Sequence, residues 1–327
     1  MPRVLLLLPT TTYRAPDFLE AARRLDVDVT VASEEPNALE GFQPAGLLTV
    51  DFRDPEACAR GVAEFSRTHP IDAVVGADDP DSFRAAWRRI EAILRQPEVS
   101  AKGGTAADEI LVEEYIPGAE LAVEGLLRDG ELEILAVFDK PDPLEGPFFE
   151  ETIYVTPSRL PDATLGAVRS ATEGACRALG LAHGPIHCEL RVNERGVFVI
   201  EVAARSVGGL CSRALRFGTG VSLEELILRH ALRREEGRAP RDPRAAGVMM
   251  IPIRRGGRLE KVSGLEAALA VPNVEGVVVS AHPGQLLVPL PEGSRYLGFI
   301  FSRAATVERA EAALREACAA LTFEIGD

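Results

Sequence analysis

The chain has 327 residues, 46% of them hydrophobic and 26% charged, which suits two or three small domains around real cores. Its 36 basic and 50 acidic residues leave a net charge of −14, which argues against nucleic acid or an anionic membrane as partner but leaves room for a local anion site. Five scattered cysteines without a C-x-x-C pair read as reduced thiols, and no run is apolar for long enough to span a membrane, so a soluble cytoplasmic protein is expected.

In chain order, Val4–Leu8 is a short, wholly apolar run, the pattern of a strand buried on both faces of a parallel sheet. A loop at Pro9–Pro16 leads to a helix with Phe18, Leu19, Ala22 and Leu25 inward. Strands follow at Val27–Ala32 and Gly46–Phe52, then a helix opened by Asp54-Pro55 and a fourth strand at Ile71–Gly76. This alternation predicts a doubly wound α/β domain over 1–79. Its first loop, Thr10-Thr11-Thr12, lacks the glycines of a dinucleotide fingerprint. An amphipathic helix is expected from Pro80 to about Gln96, capped by Asp79, with Phe83, Trp87, Ile90 and Leu94 on one stripe. The polar loop after it contains Lys102-Gly103-Gly104-Thr105, which lacks the spacing of a phosphate loop.

From Glu109 the pattern turns to antiparallel β: Ile110–Ile116, Glu120–Arg128 and Leu132–Asp139, with a hairpin turn at Arg128–Glu131. A Pro-rich segment from Lys140 to Phe149 leads to a strand at Thr152–Thr156, and a helix from Asp162 to Leu179 is ended by Gly180. After a central hairpin, Ser206-Val207-Gly208-Gly209 is a permissive loop where backbone can approach a ligand. Ser222 and Glu225 form a capping box for a helix to about Arg234, in which His230 reads as structural. A charged linker at Arg233–Arg244 sets off a small α+β domain over 246–327, with strands at Val248–Ile253, Val274–Ala281 and Tyr296–Ser302 and a helix at Thr306–Leu321.

The central hairpin, His187 to Arg205, carries the chemistry. Ile186, Cys188, Leu190 and Val192 alternate with His187, Glu189, Arg191 and Asn193, and Phe198, Ile200 and Val202 are expected on the buried side of the return strand. Gly196 suits the left-handed residue of a three-residue loop. Pairing Asn193 with Val197 then sets Glu189 across from Glu201, and like charges in opposition are destabilising. A divalent cation between the two carboxylates removes that penalty, and oxygen-only ligation suits magnesium or manganese. Arg205 shares the face and could reach a phosphate or a developing oxyanion. The alternative is a solvated hairpin face whose two acids never meet.

With these pieces together the chain resembles an ATP-grasp ligase, and within that superfamily the branch that joins a carboxylate to an amine, as the L-amino acid (dipeptide) ligases do. Val112–Glu120, VEEYIPGAE, is similar to the hinge motif. The resemblance implies that backbone around Glu113 and Ile116 faces adenine and that Glu120 holds the ribose hydroxyls. Phe149–Pro157, FEETIYVTP, resembles a strand that lines the substrate site, with Glu151 and Tyr154 on it. Glu189 and Glu201 fall where the family's metal acids sit, and Arg205 where an arginine steadies the acyl phosphate. His187, Gly208 and Gly209 are placed toward substrate or phosphate. The implied organisation is an α/β domain at 1–79, an ATP-grasp core at 80–240 and a C-terminal domain at 246–327. The implied function is ATP- and magnesium-dependent ligation of a small carboxylate, an amino acid among the candidates, to an amine through an acyl phosphate. Oligomeric state stays open.

Two departures qualify the resemblance. Many ATP-grasp enzymes carry Asn two residues after the second metal acid, where this chain has Ala203. More consequentially, the family has a long segment before the hinge that supplies two nucleotide-binding lysines and a glycine-rich loop. Here only about thirty residues separate Asp79 from Glu109, and the whole chain has three lysines, Lys102, Lys140 and Lys261. Each lost charge-assisted phosphate contact is worth about 1.5–3 kcal/mol. A working ligase, a non-catalytic binding or interaction module, and a ligase shortened at Asp79-Pro80 therefore all stay open at the level of sequence.

Overall fold

The computed structural model describes residues 2–8, 15–34, 45–50, 55–76, 113–144, 148–217, 220–234 and 241–326. The expected helix at Pro80–Gln96, the loop at Lys102–Thr105, the junction at Asp79-Pro80 and the loop at Thr10–Thr12 lie outside these residues.

Four parallel strands, β1 (Arg3–Leu7), β2 (Asp28–Ser33), β3 (Leu47–Thr49) and β4 (Ala73–Gly76), form a sheet in the order β3-β2-β1-β4. β1 is central, and its continuous apolar run is explained by burial on both faces. Val4 and Leu6 pack with Phe18, Ala21 and Ala22 of helix α1 (Ala15–Leu25), whereas Leu5 packs with Ala32 and Val50 toward Cys58 and Val62 of α2 (Pro55–Thr68). Helices on opposite faces make the unit doubly wound, as expected.

The site rests on an antiparallel sheet of eight strands. These are β5 (Ala119–Arg128), β6 (Glu131–Asp139), β7 (Ile153–Thr156), β8 (Gly184–Asn193), β9 (Gly196–Ala203), β10 (Ala245–Ile251), β12 (Val274–Val279) and β14 (Gly298–Ala304). Their order is β12-β14-β10-β7-β6-β5-β8-β9, so the sheet runs without a break from the central segment into the C-terminal one. Helix α3 (Asp162–Ala178) covers one face through Val168 and Cys176 against Leu121, Val123, Ile186 and Leu190. The other face is covered by α4 (Leu223–Ala231) and a 3₁₀ turn at Cys211–Ala214, in a core that also takes in Val4 and Phe18 of the first unit. Ser222 caps α4 by accepting from Glu225 N, as the capping box predicts. A third core gathers α5 (Leu265–Leu269) and α6 (Val307–Ala320) with Ile153, Ile251 and Ile300. A small sheet, β13 (Leu286–Leu287), β11 (Gly257–Ser263) and β15 (Thr322–Gly326), has no counterpart in the sequence reading. Among the described residues no helix is long and apolar enough to cross a membrane.

The central hairpin departs from expectation at its turn. Asn193 pairs with Gly196, so the loop is the two-residue Glu194-Arg195, with Gly196 at φ 133°. A bulge leaves Ile200 without a partner between Val199, opposite Leu190, and Glu201, opposite Glu189. The predicted Glu189–Glu201 opposition is thus reached by a different register. The two-residue loop also turns Val197 and Val199, not Phe198 and Ile200, toward the α3 core, and Val202 rejoins them after the bulge. The expected strand at Ile110–Ile116 is not formed over its described residues 113–116.

Candidate active site

Strand register brings the polar residues together. On β5, Glu120, Ala122 and Glu124 share a face, and their partners on β8 are Arg191, Glu189 and His187. Ala122 stands opposite Glu189, and Lys140 directly follows β6, the strand beside β5. Lys140 N donates to Glu120 O at 3.2 Å, which fixes where the Lys140 side chain starts.

The Lys140 ammonium is almost wholly buried, with its side chain 2% exposed. It donates to Glu120 Oε1 at 2.8 Å, to Glu189 Oε1 at 2.9 Å and to Glu151 Oε1. Its Nζ also lies 5.1 Å from the centre of the Tyr154 ring. The Tyr154 hydroxyl donates to Glu151 Oε1 at 2.6 Å. Oxygens of Glu120, Glu151 and Glu189 lie within 4.8 Å of one another, the one such grouping of three metal-type ligands among the described residues. An all-carboxylate donor set of this kind fits a hard divalent ion.

A second layer supports the cluster. Glu124, 1% exposed, receives His187 Nδ1 on one oxygen and Val207 N at 3.0 Å on the other. His187 Nε2 lies 3.2 Å from Glu189 Oε1. One buried carboxylate therefore ties the 206–209 loop to the imidazole that steadies Glu189. In that loop Gly209 has φ 60°, and a Cβ there would stand 3.2 Å from the Phe299 ring, whereas Gly208 borders open space.

The hinge is held by Arg191. Its guanidinium donates to Glu120 Oε2 at 2.8 Å, to Ile116 O at 2.8 Å and to Leu144 O at 2.5 Å. The rings of Tyr115 and Phe149 lie 5.2 and 5.6 Å from it and stack on each other. Asn193 Nδ2 adds a bond to Pro117 O at 2.6 Å. A cavity of about 330 Å³ opens beside Glu120 and Lys140, lined also by Gly118, Asp139, Leu144 and Arg159.

The electrostatics follow from this crowding. Burial opposes the charge on Lys140, but Glu151, Glu189 and Glu120 outweigh it and raise the pKa of the ammonium. Burial likewise opposes charge on His187, yet Glu124 and then Glu189 raise its pKa to about 9. Desolvation opposes the charge on Glu189 as well, but Lys140 and His187 hold its carboxyl well below the usual range. Burial pushes the Glu151 carboxyl up despite Lys140, with the charge of Glu189 adding to the effect. Burial and the Glu151 charge keep the Tyr154 hydroxyl protonated far above neutrality.

Of the residues singled out from sequence, the structure gathers Glu120, Glu151, Tyr154, His187 and Glu189. Glu201 stands opposite Glu189 in the ladder, is exposed, and lies outside the Lys140 cluster. Glu113 is exposed at the start of the hinge. Arg205, at the end of β9, donates to Ser206 O at 3.1 Å. Sequence reasoning missed Lys140, Glu124 and Arg191. Lys140 is one of three lysines and directly follows a strand, Glu124 is in phase with Glu120, and Arg191 is in phase with His187 and Glu189. Each of these signals is present in the sequence, but none by itself names a partner.

The ATP-grasp domain family matches residues 72–214, and the L-amino acid ligase C-terminal domain 2 family matches 249–326. Carnosine synthase 1 of Gallus gallus is 35% identical over 123 residues, 37% of this chain and 13% of that protein. Alanine–anticapsin ligase of Bacillus subtilis is 31% identical over 161 residues, 45% of this chain and 33% of that protein. The chain spans less than half the length of these curated relatives. The crystal structure of an L-amino acid ligase from Bacillus licheniformis shares the fold, with a TM-score of 0.76 at 23% identity over 100% of this chain and 99% of that one. Residues 72–214 thus match the ATP-grasp domain family, and residues 249–326, after them in the chain, match the C-terminal domain 2 of L-amino acid ligases.

Proposed function

We propose that the protein is an ATP-dependent ligase that joins a small carboxylate, an amino acid among the candidates, to an amine. The reading rests on one observation above the others. Within the stretch matched to ATP-grasp, the strand after the hinge carries Glu120 into a half-buried cluster with Glu151 and Glu189 around the buried Lys140 ammonium.

In this reading the backbone around Glu113 and Ile116 faces adenine and Glu120 takes the ribose. Glu189, with Glu201 opposite it, holds magnesium or manganese, and a bound divalent ion would neutralise charge on the transferring phosphoryl group. Arg205 supports the phosphoryl oxygens. Glu151, Tyr154, His187, Gly208 and Gly209 line the carboxylate and amine subsites. A carboxylate oxygen attacks the γ-phosphorus as the bond to the β-phosphate oxygen breaks and ADP departs. The neutral amine nitrogen then attacks the acyl carbon, phosphate leaves with the bonding pair, and the nitrogen's surplus proton passes to that phosphate. Protein groups act by alignment and charge, which is where phosphoryl transfer gains most of its rate. The domain organisation proposed is 1–79, 80–240 and 246–327, with small-molecule partners.

Calorimetric titration with ATP, with and without magnesium, tests the proposal. Magnesium-dependent binding at micromolar strength is expected, followed by ADP release in a screen of amino acid pairs. A cooperatively folded protein that binds no ATP in magnesium would overturn it in favour of a non-catalytic binding module.

A further inference from the structure

The Lys140 ammonium sits at the centre of the oxygens that the ligase reading assigns to ribose, metal and substrate. It touches Glu120, Glu189 and Glu151 at once, and its side chain is 2% exposed. Arg191 on Glu120 and His187 on Glu189 add to Lys140, so a divalent ion would enter a set of carboxylates already held by cations. An ammonium and a divalent ion sharing Glu189 Oε1 would also repel each other at close range in a site sheltered from water. Glu120 adds a second constraint. Its Oε1 accepts from Lys140 and its Oε2 from Arg191, so both oxygens are engaged before any ribose hydroxyl arrives.

We propose that Lys140 is a positioning residue that serves as a resident counter-cation. It keeps the three carboxylates assembled in the nucleotide-free protein and changes partners when a divalent ion enters. Metal affinity is thereby held down until a nucleotide takes Glu120 and offers the ammonium its phosphates. The inference rests on the ligase reading of the site, and it differs in sign from a plain structural ion pair. Removing a structural pair would loosen the carboxylates and weaken metal binding. Removing a competitor strengthens it.

The test is a titration of the nucleotide-free 327-residue chain with Mn²⁺, followed by electron paramagnetic resonance, for wild type, Lys140→Met and Lys140→Arg. Lys140→Met is expected to bind Mn²⁺ about tenfold more tightly or better, and Lys140→Arg to stay within about threefold of wild type. Unchanged or weaker binding in folded Lys140→Met overturns the inference. Should that variant not fold without metal, wild type decides. With three lysines in the chain, the ammonium signal of Lys140 is assignable by its loss in Lys140→Arg. A signal that moves in step with Mg²⁺ binding supports the exchange, and one that stays put while Mg²⁺ binds overturns it. Glu189→Gln separates the two levels. Mn²⁺ binding that survives in Glu189→Gln removes the metal reading of the cluster and this inference with it. Binding that is lost there but indifferent to Lys140→Met removes this inference alone.

Discussion

Glu124 is the most deeply buried acid of the site, and both its oxygens are in use, one by His187 and one by Val207 N. Truncation would leave a buried imidazolium and a backbone N–H without their partner. Breaking a buried pair from one side costs about 3–5 kcal/mol, so Glu124→Ala is expected to lose that much in urea denaturation, with Glu124→Gln losing less. The same pair makes stability depend on pH. The folded pKa of His187 is raised from 6.5 to about 9, so its contribution is fully present below pH 6.5 and is lost as pH rises through about 9. In EDTA, the melting temperature of wild type should therefore fall over that interval, and His187→Gln should flatten the fall. An equally steep decline in His187→Gln would show that another group is responsible.

At the scale of the element, the hinge depends on how Pro117-Gly118 meets β8. Gly118 has φ 133°, and a Cβ there would stand 2.3 Å from Val192 O, against backbone that cannot give way. Gly118→Ala is expected to cost about 1–3 kcal/mol and to weaken nucleotide binding, because Arg191 and Asn193 hold Ile116 O and Pro117 O through the same strand. Wild-type affinity in that variant would detach the hinge from its anchor. The hairpin shows what sequence can and cannot reveal at this scale. Alternation identified β8, its inward Cys188 and Leu190, and the opposition of Glu189 to Glu201. On the return strand Val202 is inward as expected, but Val197 and Val199 take the places expected of Phe198 and Ile200, because the position of the loop and of the Ile200 bulge is not set by local pattern. Lys140 escaped for a similar reason. Its role depends on three acids from β5, the segment just before β7, and β8, which only sheet order makes neighbours.

Across the whole molecule, the doubly wound unit was legible because a wholly apolar strand such as β1 has few other uses, whereas the continuity of the large sheet was not. Sequence pattern set a linker between two domains at Arg233–Arg244, yet β10 lies between β7 and β14. β7, whose Tyr154 meets Glu151 just before it, pairs with β6 only at Asp139 and Val155, but with β10 at four positions. Arg303 of β14 reinforces the join, reaching Glu275 at 2.8 Å and the carbonyl of Ala214, behind the glycine loop, at 3.0 Å. Ending the chain at residue 240 would thus free β7 along most of its length. It would also strip Val248, Met250, Phe299 and Phe301 from the main core. At about 1.5–3 kcal/mol each, those four side chains represent roughly 6–12 kcal/mol of burial, comparable to the whole stability of an ordinary domain at about 5–15 kcal/mol. The 1–240 fragment is expected to lose cooperative unfolding in near-ultraviolet circular dichroism and to show no magnesium-dependent nucleotide binding by calorimetry. A fragment that melts cooperatively and binds ATP as the full chain does would mean that β6 alone suffices to hold β7. In that case the C-terminal strands would be an accessory to the site and not its wall.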